Sequence, residues 1–282
     1  NLVNFMNKKK KILITGSSGF LGTQILNSLL KKRNVKLYLV LRKKNLLLSK
    51  LDNVKIIITK DLFSESVSWW KKKTKNIDIV IHSAWYVEPG KFMVSNKNLD
   101  CLSGTINMAL GAAKSGIKKF VGVGTCAEYD TTKGYLDVNT KLNPTIPYSA
   151  AKVSTFIALE KLLPTFNVNF CWCRVFYLYG ENEDSRRLVP YLREKLSKGE
   201  KVLLGSGKEI KDYIDVKKAG QLIVKHALSS KGTGAKNICS GVGTSVRELA
   251  ESIADEYNRR DLLVFGVRKS NPFDSSVVVG IL

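Results

Sequence analysis

Three glycines spaced three residues apart, directly after the first apolar run, constrain the fold of this chain more than any other feature. Residues 11–22 read Lys-Ile-Leu-Ile-Thr-Gly-Ser-Ser-Gly-Phe-Leu-Gly. The pattern predicts a buried strand, a tight turn through Gly16, Gly19 and Gly22, and a helix that continues to Leu30. Glycines at this spacing permit the turn, the close approach of a ligand, and close packing of the helix on the strand. The N-terminus of such a helix favours an anion such as a pyrophosphate.

Apolar strands and amphipathic helices alternate after this turn. We expect strands at residues 36–41, 54–59, 77–81, 120–124 and 168–175, and helices at residues 64–73, 96–115 and 148–163. Ser64 is the expected N-terminal cap of the first of these helices. The alternation predicts an α/β fold: a Rossmann-type, doubly wound parallel sheet with helices on both faces. We place this dinucleotide-binding domain at residues 11–180, followed by a smaller region at residues 181–282 that is interleaved with the last elements of the sheet.

Composition is consistent with one large α/β domain. A chain of 282 residues that is 44% hydrophobic can bury a substantial core. It has no apolar run of membrane-spanning length, and residues 1–11 contain no stretch of signal-peptide length, so we expect a cytoplasmic protein. The sequence has five cysteines and two histidines. Their closest pairing, Cys171 and Cys173, lies in an apolar strand, and we interpret both as core thiols rather than metal ligands.

The net charge of +22, from 46 Lys and Arg against 24 Asp and Glu, raises the question of a nucleic-acid partner. The lysines form scattered short runs, without one patch that carries interleaved aromatic residues. This distribution favours a solvated lysine-rich surface over a nucleic-acid interface.

The second predicted strand ends on Arg42-Lys43-Lys44. In a dinucleotide-binding fold this strand end meets the adenosine ribose, where an acid binds the 2′-hydroxyl and a basic residue accepts a 2′-phosphate. Three cations and no acid follow the strand. We therefore predict NADP(H) rather than NAD(H) as the cofactor.

We expect the reaction to take place at the carboxyl ends of the strands. Thr125 follows the fifth strand there, and Tyr148 begins the next helix. Lys152 lies one turn after Tyr148, so the two side chains share a face. A lysine ammonium near a phenol lowers the pKa of the phenol and makes it a usable proton donor and acceptor near neutrality.

The spacing alone indicates little, since it occurs at Tyr129/Lys133, Tyr148/Lys152, Tyr191/Lys195 and Tyr213/Lys217. Only Tyr148 both follows the fifth strand with its hydroxyl residue and opens a well-defined helix.

Further motifs stand in the order and spacing of one known family. They are Gly16-x-x-Gly19-x-x-Gly22, Asp61-Leu62, His82-Ser-Ala84, Asn98, Thr125, Tyr148/Lys152, Arg-Val-Phe-Tyr-Leu-Tyr-Gly at residues 174–180 and Lys-Asp-Tyr-Ile-Asp-Val at residues 211–216. Together they resemble the extended short-chain dehydrogenase/reductases, in the branch of epimerases, dehydratases and reductases that act on nucleotide sugars. The resemblance covers about residues 11–255.

The resemblance implies a role for each matched position. Thr125, Tyr148 and Lys152 are the expected catalytic residues, with Thr125 holding the substrate oxygen and Tyr148 exchanging its proton. The expected cofactor-binding residues are Gly16, Ser18, Gly19, Phe20, Leu21, Gly22, Arg42, Asp61, Leu62, Ser83, Ala84 and Lys152. The expected substrate-binding residues are Trp85, Glu88, Thr125, Tyr177, Arg187 and Lys211. Residues 181–282 are expected to form the smaller substrate-binding region, and no metal site is expected.

Two departures from the family pattern bear on the reaction. Sugar-nucleotide dehydratases of the family carry Asp-Glu directly after the catalytic threonine, whereas Cys126 and Ala127 follow Thr125 here. Without that carboxylate pair, a 4-keto-sugar reductase or a 4-epimerase remains. The family usually continues into a further helix and strand, whereas this chain ends at residues 277–282, so we expect a shortened substrate-binding region.

The sequence therefore predicts NADP(H)-dependent reduction of a nucleotide-linked 4-keto-6-deoxy sugar, with Tyr148 as the proton donor. One alternative is an NAD-dependent nucleotide-sugar 4-epimerase, which would keep its cofactor through the cycle. An alternative of another class is a catalytically idle NADP- or nucleic-acid-binding protein on the same fold. The expected partner is a nucleotide-diphosphate sugar rather than a membrane. A homodimer could form through helices 96–115 and 148–163, although core packing explains their apolar faces equally.

Overall fold

The computed structural model describes residues 9–269 and 275–282. Its strands are β1 (Lys10–Thr15), β2 (Val35–Leu41), β3 (Val54–Ile58), β4 (Ile79–His82), β5 (Lys119–Thr125), β6 (Tyr135–Leu136), β7 (Asn169–Val175), β8 (Tyr177–Tyr179), β9 (Val202–Leu203), β10 (Ile210–Asp215), β11 (Gly234–Ile238), β12 (Gly243–Ser245), β13 (Leu263–Val264) and β14 (Val277–Gly280). Its helices are α1 (Phe20–Leu30), α2 (Val67–Lys73), α3 (Lys97–Lys114), α4 (Pro147–Leu162), α5 (Leu188–Ser197), α6 (Val216–Leu228) and α7 (Val246–Asp255).

Seven strands form one parallel sheet in the order β3-β2-β1-β4-β5-β7-β11. The predicted Rossmann-type α/β fold is therefore confirmed. The strand order reverses between β1 and β4, and in open α/β sheets the crevice at the carboxyl ends of two such strands is where ligands bind.

The core lies on both faces of this sheet. On β1, Ile12 and Ile14 pack into a cluster with residues of α1 and α6, whereas Leu13 faces a second cluster that contains Trp70 of α2 and Met108 of α3. Because successive residues of a strand point to opposite faces, a continuous apolar run is what a strand covered on both sides requires.

The predicted strands and helices of the first 180 residues agree with the structure to within two residues, except at the start of α2. That helix begins at Val67, and its cap is Ser66, whose Oγ accepts the N–H of Trp69 at 3.1 Å. The prediction that Ser64 caps the helix is wrong, because the Ser64 hydroxyl donates to the carbonyl of Asp61 in the preceding turn. Cys171 and Cys173 are buried free thiols, as predicted.

A smaller sheet has the order β12-β10-β14-β6, with β8 paired to the other end of β10. Asp212 of β10 is fully buried, and its carboxylate accepts hydrogen bonds from the N–H groups of Ser240, Gly241 and Gly280. The two regions exchange strands, since β6 joins the smaller sheet and β11 completes the large one. No helix in the described part of the chain combines the length and apolar character that crossing a bilayer requires.

We expect Gly111→Ala to destabilise the fold, although alanine is normally the better helix former. A Cβ at Gly111 would lie 2.5 Å from the carbonyl oxygen of Val67 and 2.6 Å from Cβ of Trp70, where α3 packs on α2. Overpacking of this kind costs about 1–3 kcal/mol, which exceeds the gain in helix propensity of about 0.5–1 kcal/mol. Urea unfolding measures the difference.

Ser103→Ala, at an exposed position of the same helix, is the matched control and should change the free energy of unfolding by less than about 0.5 kcal/mol. A Gly111→Ala protein as stable as the unaltered chain would contradict the close packing of α2 on α3.

Candidate active site

The glycine turn lies at the carboxyl end of β1. Gly16 has a φ of 73°, and a Cβ there would lie 2.6 Å from the backbone nitrogen of Ala84. A Cβ at Gly22 would lie 1.8 Å from the carbonyl oxygen of Gly16. Glycine is therefore required at Gly16 by backbone conformation and contact, and at Gly22 by the contact of the helix with the turn.

The start of α1 fits the pyrophosphate of a dinucleotide. Within the described part of the chain no side chain caps this helix, and its first turn contains no acidic residue. The Oγ of Ser17 is buried in the turn and has no hydrogen-bond partner among the described residues. Ser18 and Gly19 are exposed beside it. Unpaired helix N–H groups, the helix dipole and a buried hydroxyl without a partner together suit an anionic ligand.

Hydrogen bonds fix the end of β4 against the end of β1. Nδ1 of His82 lies 2.7 Å from Oγ1 of Thr15, and Nε2 lies 2.9 Å from Oγ1 of Thr105. The Ser83 hydroxyl donates to the carbonyl of Thr15 at 2.9 Å. Burial, with a smaller contribution from the charge of Lys152, lowers the pKa of His82 to about 3. His82 is therefore uncharged and connects Thr15 to Thr105 through its two ring nitrogens. Ser83 and Ala84 lie directly against the glycine turn.

The residues expected near the adenosine lie at the ends of β2 and β3. Arg42 is exposed after β2, and no hydrogen bond or ion pair engages its guanidinium within the described ranges 9–269 and 275–282. Asp61 is exposed and its Oδ1 accepts the N–H of Phe63, while Leu62 is half-buried.

Thr125, Tyr148 and Lys152 converge at the carboxyl end of β5. Thr125 ends the strand, and Oγ1 of Thr125 accepts the N–H of Ala127. Tyr148 lies in the first turn of α4, close enough to the side chain of Thr125 for that side chain to lower its pKa. The Nζ of Lys152 donates to the carbonyl of Val123 on β5 at 2.6 Å.

The predicted fall in the pKa of Tyr148 is not found in this structure, and the effect of Lys152 on that pKa stays a prediction. Burial raises the pKa of Tyr148, the charge of Glu128 raises it further, and the side chain of Thr125 only partly opposes them. Burial also lowers the pKa of Lys152, to about 7. Loss of water disfavours the charged form of each group, and a neighbouring cation does not reverse this at Tyr148.

Two aromatic side chains of the loop after β4 cover these groups. The ring centroid of Trp85 lies 3.8 Å from Nζ of Lys152, and its Nε1 donates to Oδ1 of Asn98. The ring of Phe92 meets the ring of Tyr148 edge-on, with 4.8 Å between centroids. Trp85 thus lies on the expected catalytic lysine.

Glu88, the acid of the same loop, is engaged within it. One carboxylate oxygen lies 2.8 Å from Nζ of Lys91, and the other accepts the Tyr86 hydroxyl at 3.0 Å. A substrate group that bound Glu88 would have to compete with both neighbours.

The remaining expected substrate-binding residues lie in two places. Tyr177 lines a cavity of about 50 Å³ beside Cys126 and Ala127, and the ring of Tyr177 lies 4.9 Å from Nζ of the buried Lys211. Arg187 instead lies near α1, with its guanidinium carbon 6.0 Å from the ring of Phe20.

Glu128 is a buried residue of the site to which the sequence reasoning assigned no role. Its carboxylate accepts the backbone N–H of Thr125 at 2.8 Å and the Nε–H of Arg174 at 2.7 Å. The signal was present, because Thr125-Cys-Ala-Glu128 has the Thr-x-x-Glu spacing of a capping box, and the structure contains that capping box. Within the described ranges, no group of three His, Cys, Asp or Glu side chains is arranged to hold a metal ion.

The site has a glycine turn where the strand order of a parallel sheet reverses, and a tyrosine and a lysine lie nearby. Such a site is typical of a dinucleotide-binding α/β protein. The sequence matches the model of the NAD dependent epimerase/dehydratase family over residues 12–239. The chain therefore belongs to this family, as the motif resemblance predicted, and it is an NAD(P)-dependent enzyme of the oxidoreductase and epimerase type.

Individual relatives cover nearly the whole chain. The chain is 27% identical over 271 residues to dTDP-6-deoxy-L-talose 4-dehydrogenase (NAD(+)) of Aggregatibacter actinomycetemcomitans, covering 95% of this chain and 98% of the relative. It is 26% identical to a putative UDP-glucose 4-epimerase of Methanocaldococcus jannaschii, covering 90% and 85%. The fold matches UDP-N-acetylglucosamine 4-epimerase of Methanobrevibacter ruminantium M1, in complex with UDP-N-acetylmuramic acid, with a TM-score of 0.82, 22% identity, and coverage of 98% and 90%.

We expect stability to depend on pH through His82. Its pKa is about 3 in the folded chain, against an ordinary value of 6.5, so between these values the unfolded chain binds a proton that the folded chain does not. The contribution of His82 is fully present above the ordinary value, and stability falls by about 1.4 kcal/mol for each pH unit below it.

Urea unfolding of the unaltered protein and of His82→Gln, between about pH 5 and pH 7, measures this dependence. The variant should show a slope smaller by about one bound proton. Equal slopes in the two proteins would contradict a buried neutral histidine.

Proposed function

We propose that this enzyme uses NADPH to reduce a nucleotide-linked 4-keto-6-deoxy sugar. The observation that carries the proposal is the convergence of Thr125, Tyr148 and Lys152 at the end of β5, next to the glycine turn at the end of β1. The two strands flank β4, so a cofactor bound at the turn and a substrate bound at Thr125 would meet over its carboxyl end.

Each side chain has a chemical task in this reaction. When bound, NADPH supplies a hydride to a carbonyl carbon. Thr125 orients the carbonyl oxygen, and Tyr148 donates its phenolic proton to that oxygen and regains a proton from solvent. The raised pKa of Tyr148 keeps the phenol neutral near pH 7, and a neutral phenol is the form that can donate a proton. Lys152 stabilises the phenolate that is left behind.

The surroundings of Thr125 argue against elimination of water from the sugar. Cys126 and Ala127 occupy the two positions after Thr125 and line the small cavity there. The next residue, Glu128, is fully buried and its oxygens are hydrogen-bonded to Thr125, Trp172 and Arg174. This carboxylate is therefore poorly placed to serve as a dehydratase acid.

One observation favours a 6-deoxy sugar that reacts at C4. A relative that spans nearly the whole chain is named as a 4-dehydrogenase of a dTDP-linked 6-deoxy sugar. Reduction of the 4-ketone is the reverse of that reaction.

We expect Tyr148→Phe to lower kcat by about 10²–10⁴-fold, because the variant has no proton to give to the developing alkoxide. NADPH affinity should stay within about threefold of the unaltered enzyme, since only one hydroxyl is lost. The assay is consumption of NADPH with a nucleotide-linked 4-keto-6-deoxy sugar.

Tyr135→Phe removes the hydroxyl of an exposed tyrosine of β6 and should leave kcat unchanged. Full activity of Tyr148→Phe would refute the proposed role of this residue. Absence of activity in every protein, despite NADPH binding, would favour the catalytically idle binding protein.

We propose NADP(H) rather than NAD(H) because Arg42 is exposed at the end of β2 beside Lys43 and Lys44. A charged hydrogen bond of about 1.5–3 kcal/mol to a 2′-phosphate corresponds to about 10–100-fold in affinity. Arg42→Ala should weaken NADPH binding by this factor and leave NADH binding unchanged, as measured by nicotinamide fluorescence.

Lys114→Ala removes one exposed positive charge at the far end of α3 and controls for the loss of overall charge. Equal losses of NADPH affinity in the two variants, or tighter binding of NADH by the unaltered protein, would overturn the preference for NADP(H).

A 4-epimerase is the second candidate, because relatives named as epimerases also match most of the chain. An epimerase restores its cofactor in each cycle, so the purified protein would convert the sugar without added reductant. Product formation that is stoichiometric with NADPH consumption would instead support the reductase.

A further inference from the structure

The carboxylate of Glu128 lies buried directly beneath Thr125. Its Oε1 accepts the backbone N–H of Thr125 at 2.8 Å, and Nε1 of Trp172 lies 3.0 Å from both carboxylate oxygens. The Nε–H of Arg174 donates to Oε2 at 2.7 Å. A carboxylate removed from water is tolerated only with such partners, so Glu128, Trp172 and Arg174 form one unit, which we call the Glu128 platform.

Two glycines of β5 leave the space that the Glu128 platform occupies. A Cβ at Gly124 would lie 2.2 Å from Nε1 of Trp172 and 2.4 Å from Oε1 of Glu128, and a Cβ at Gly122 would lie 2.4 Å from the Trp172 ring. Two alternate positions of β5 therefore lack side chains where the platform packs against the strand.

The same platform contacts the elements that carry the other candidate catalytic residues. The carbonyl of Val123, between the two glycines, accepts the ammonium of Lys152. The ring of Trp172 lies 5.8 Å from that ammonium and 6.1 Å from the ring of Phe156, on the next turn of α4. A displacement of Trp172 would therefore shift Thr125 and Lys152 relative to each other.

We propose that Glu128 is a positioning residue of the reaction, an inference that rests on the proposed function. Its carboxylate is held by Trp172 and Arg174 and fixes the backbone N–H of Thr125. It thereby positions the Thr125 hydroxyl, which orients the substrate oxygen. Its negative charge has a second effect, on Lys152. The titratable groups that face Lys152 are Glu128 after β5, Cys101 of α3 and His82 of β4. Glu128 opposes the lowering of the Lys152 pKa by burial.

Two variants distinguish the positioning role of Glu128 from the effect of its negative charge on Lys152. Trp172→Phe removes the indole N–H that holds the carboxylate but keeps every charge and most of the packing. It should bind NADPH normally and lower kcat by about 10–100-fold, because small displacements of a reacting group are costly, with the alkaline limb of the pH profile of kcat/KM unmoved.

Glu128→Gln removes the negative charge and keeps an oxygen that can accept the N–H of Thr125. Without the negative charge, the pKa of Lys152 should fall, and the alkaline limb of kcat/KM should move to lower pH by about one unit. If this variant does not fold, Trp172→Phe still decides the positioning role.

Thr74→Val is the stability control, because Oγ1 of Thr74 is buried between α2 and α3 and is hydrogen-bonded to Trp70 and Ser115. It should lower Tm without lowering kcat. The inference would be overturned if the folded platform variants had unchanged kcat and an unchanged pH profile. It would also be overturned if Thr74→Val lost kcat in the same proportion to its fall in Tm as the platform variants do. Tyr148→Phe separates the two hypotheses: if it is inactive while the platform variants are fully active, only the inference fails, whereas activity in Tyr148→Phe refutes the proposed function.

Discussion

The hydrogen bonds that join the ends of β1 and β4 are the constraint on which the rest of the site depends. Thr15 contacts His82 and Ser83, and His82 continues the connection to Thr105 of α3. Because Gly16 follows Thr15 directly, the cofactor turn and the loop that covers the candidate catalytic residues are positioned by the same few atoms. Neutral imidazole is well suited to this place, since it both donates and accepts a hydrogen bond without bringing a charge into the core.

The sheet and the glycine turn could be predicted from sequence because their signals are local: runs of apolar residues and glycines within seven positions of each other. The Glu128 platform could not, because Trp172 and Arg174 follow Glu128 by 44 and 46 residues. Their meeting depends on the pairing of β5 with β7, in the register that sets Gly124 beside Arg174. The raised pKa of Tyr148 has a similar origin, since it depends on how other segments bury the helix start.

Glu128 and Asp212 show how this fold uses acids in its interior. Each carboxylate is fully buried, and each accepts several hydrogen bonds from segments distant in sequence. Glu128 links β5 to β7 in the large sheet, and Asp212 links β10 to the segment after β11 and to β14. A carboxylate suits this task because its two oxygens accept from several directions at once, so one side chain can fix two or three backbone segments. Neither acid is therefore available as a solvent-exposed general acid.

The position of β14 has a consequence for how the protein acquires its structure. This strand lies between β10 and β6 and is the element through which β6 joins the smaller sheet. Residues 135–136 and 210–215 emerge from the ribosome well before residues 277–280. The large sheet, whose last strand ends at Ile238, can thus be complete while the smaller sheet still lacks a central strand. Long-range pairing of this kind is slow, so the nascent chain should pass through a stage in which the nucleotide-binding half is ordered and the strand edges of the smaller sheet are unpaired.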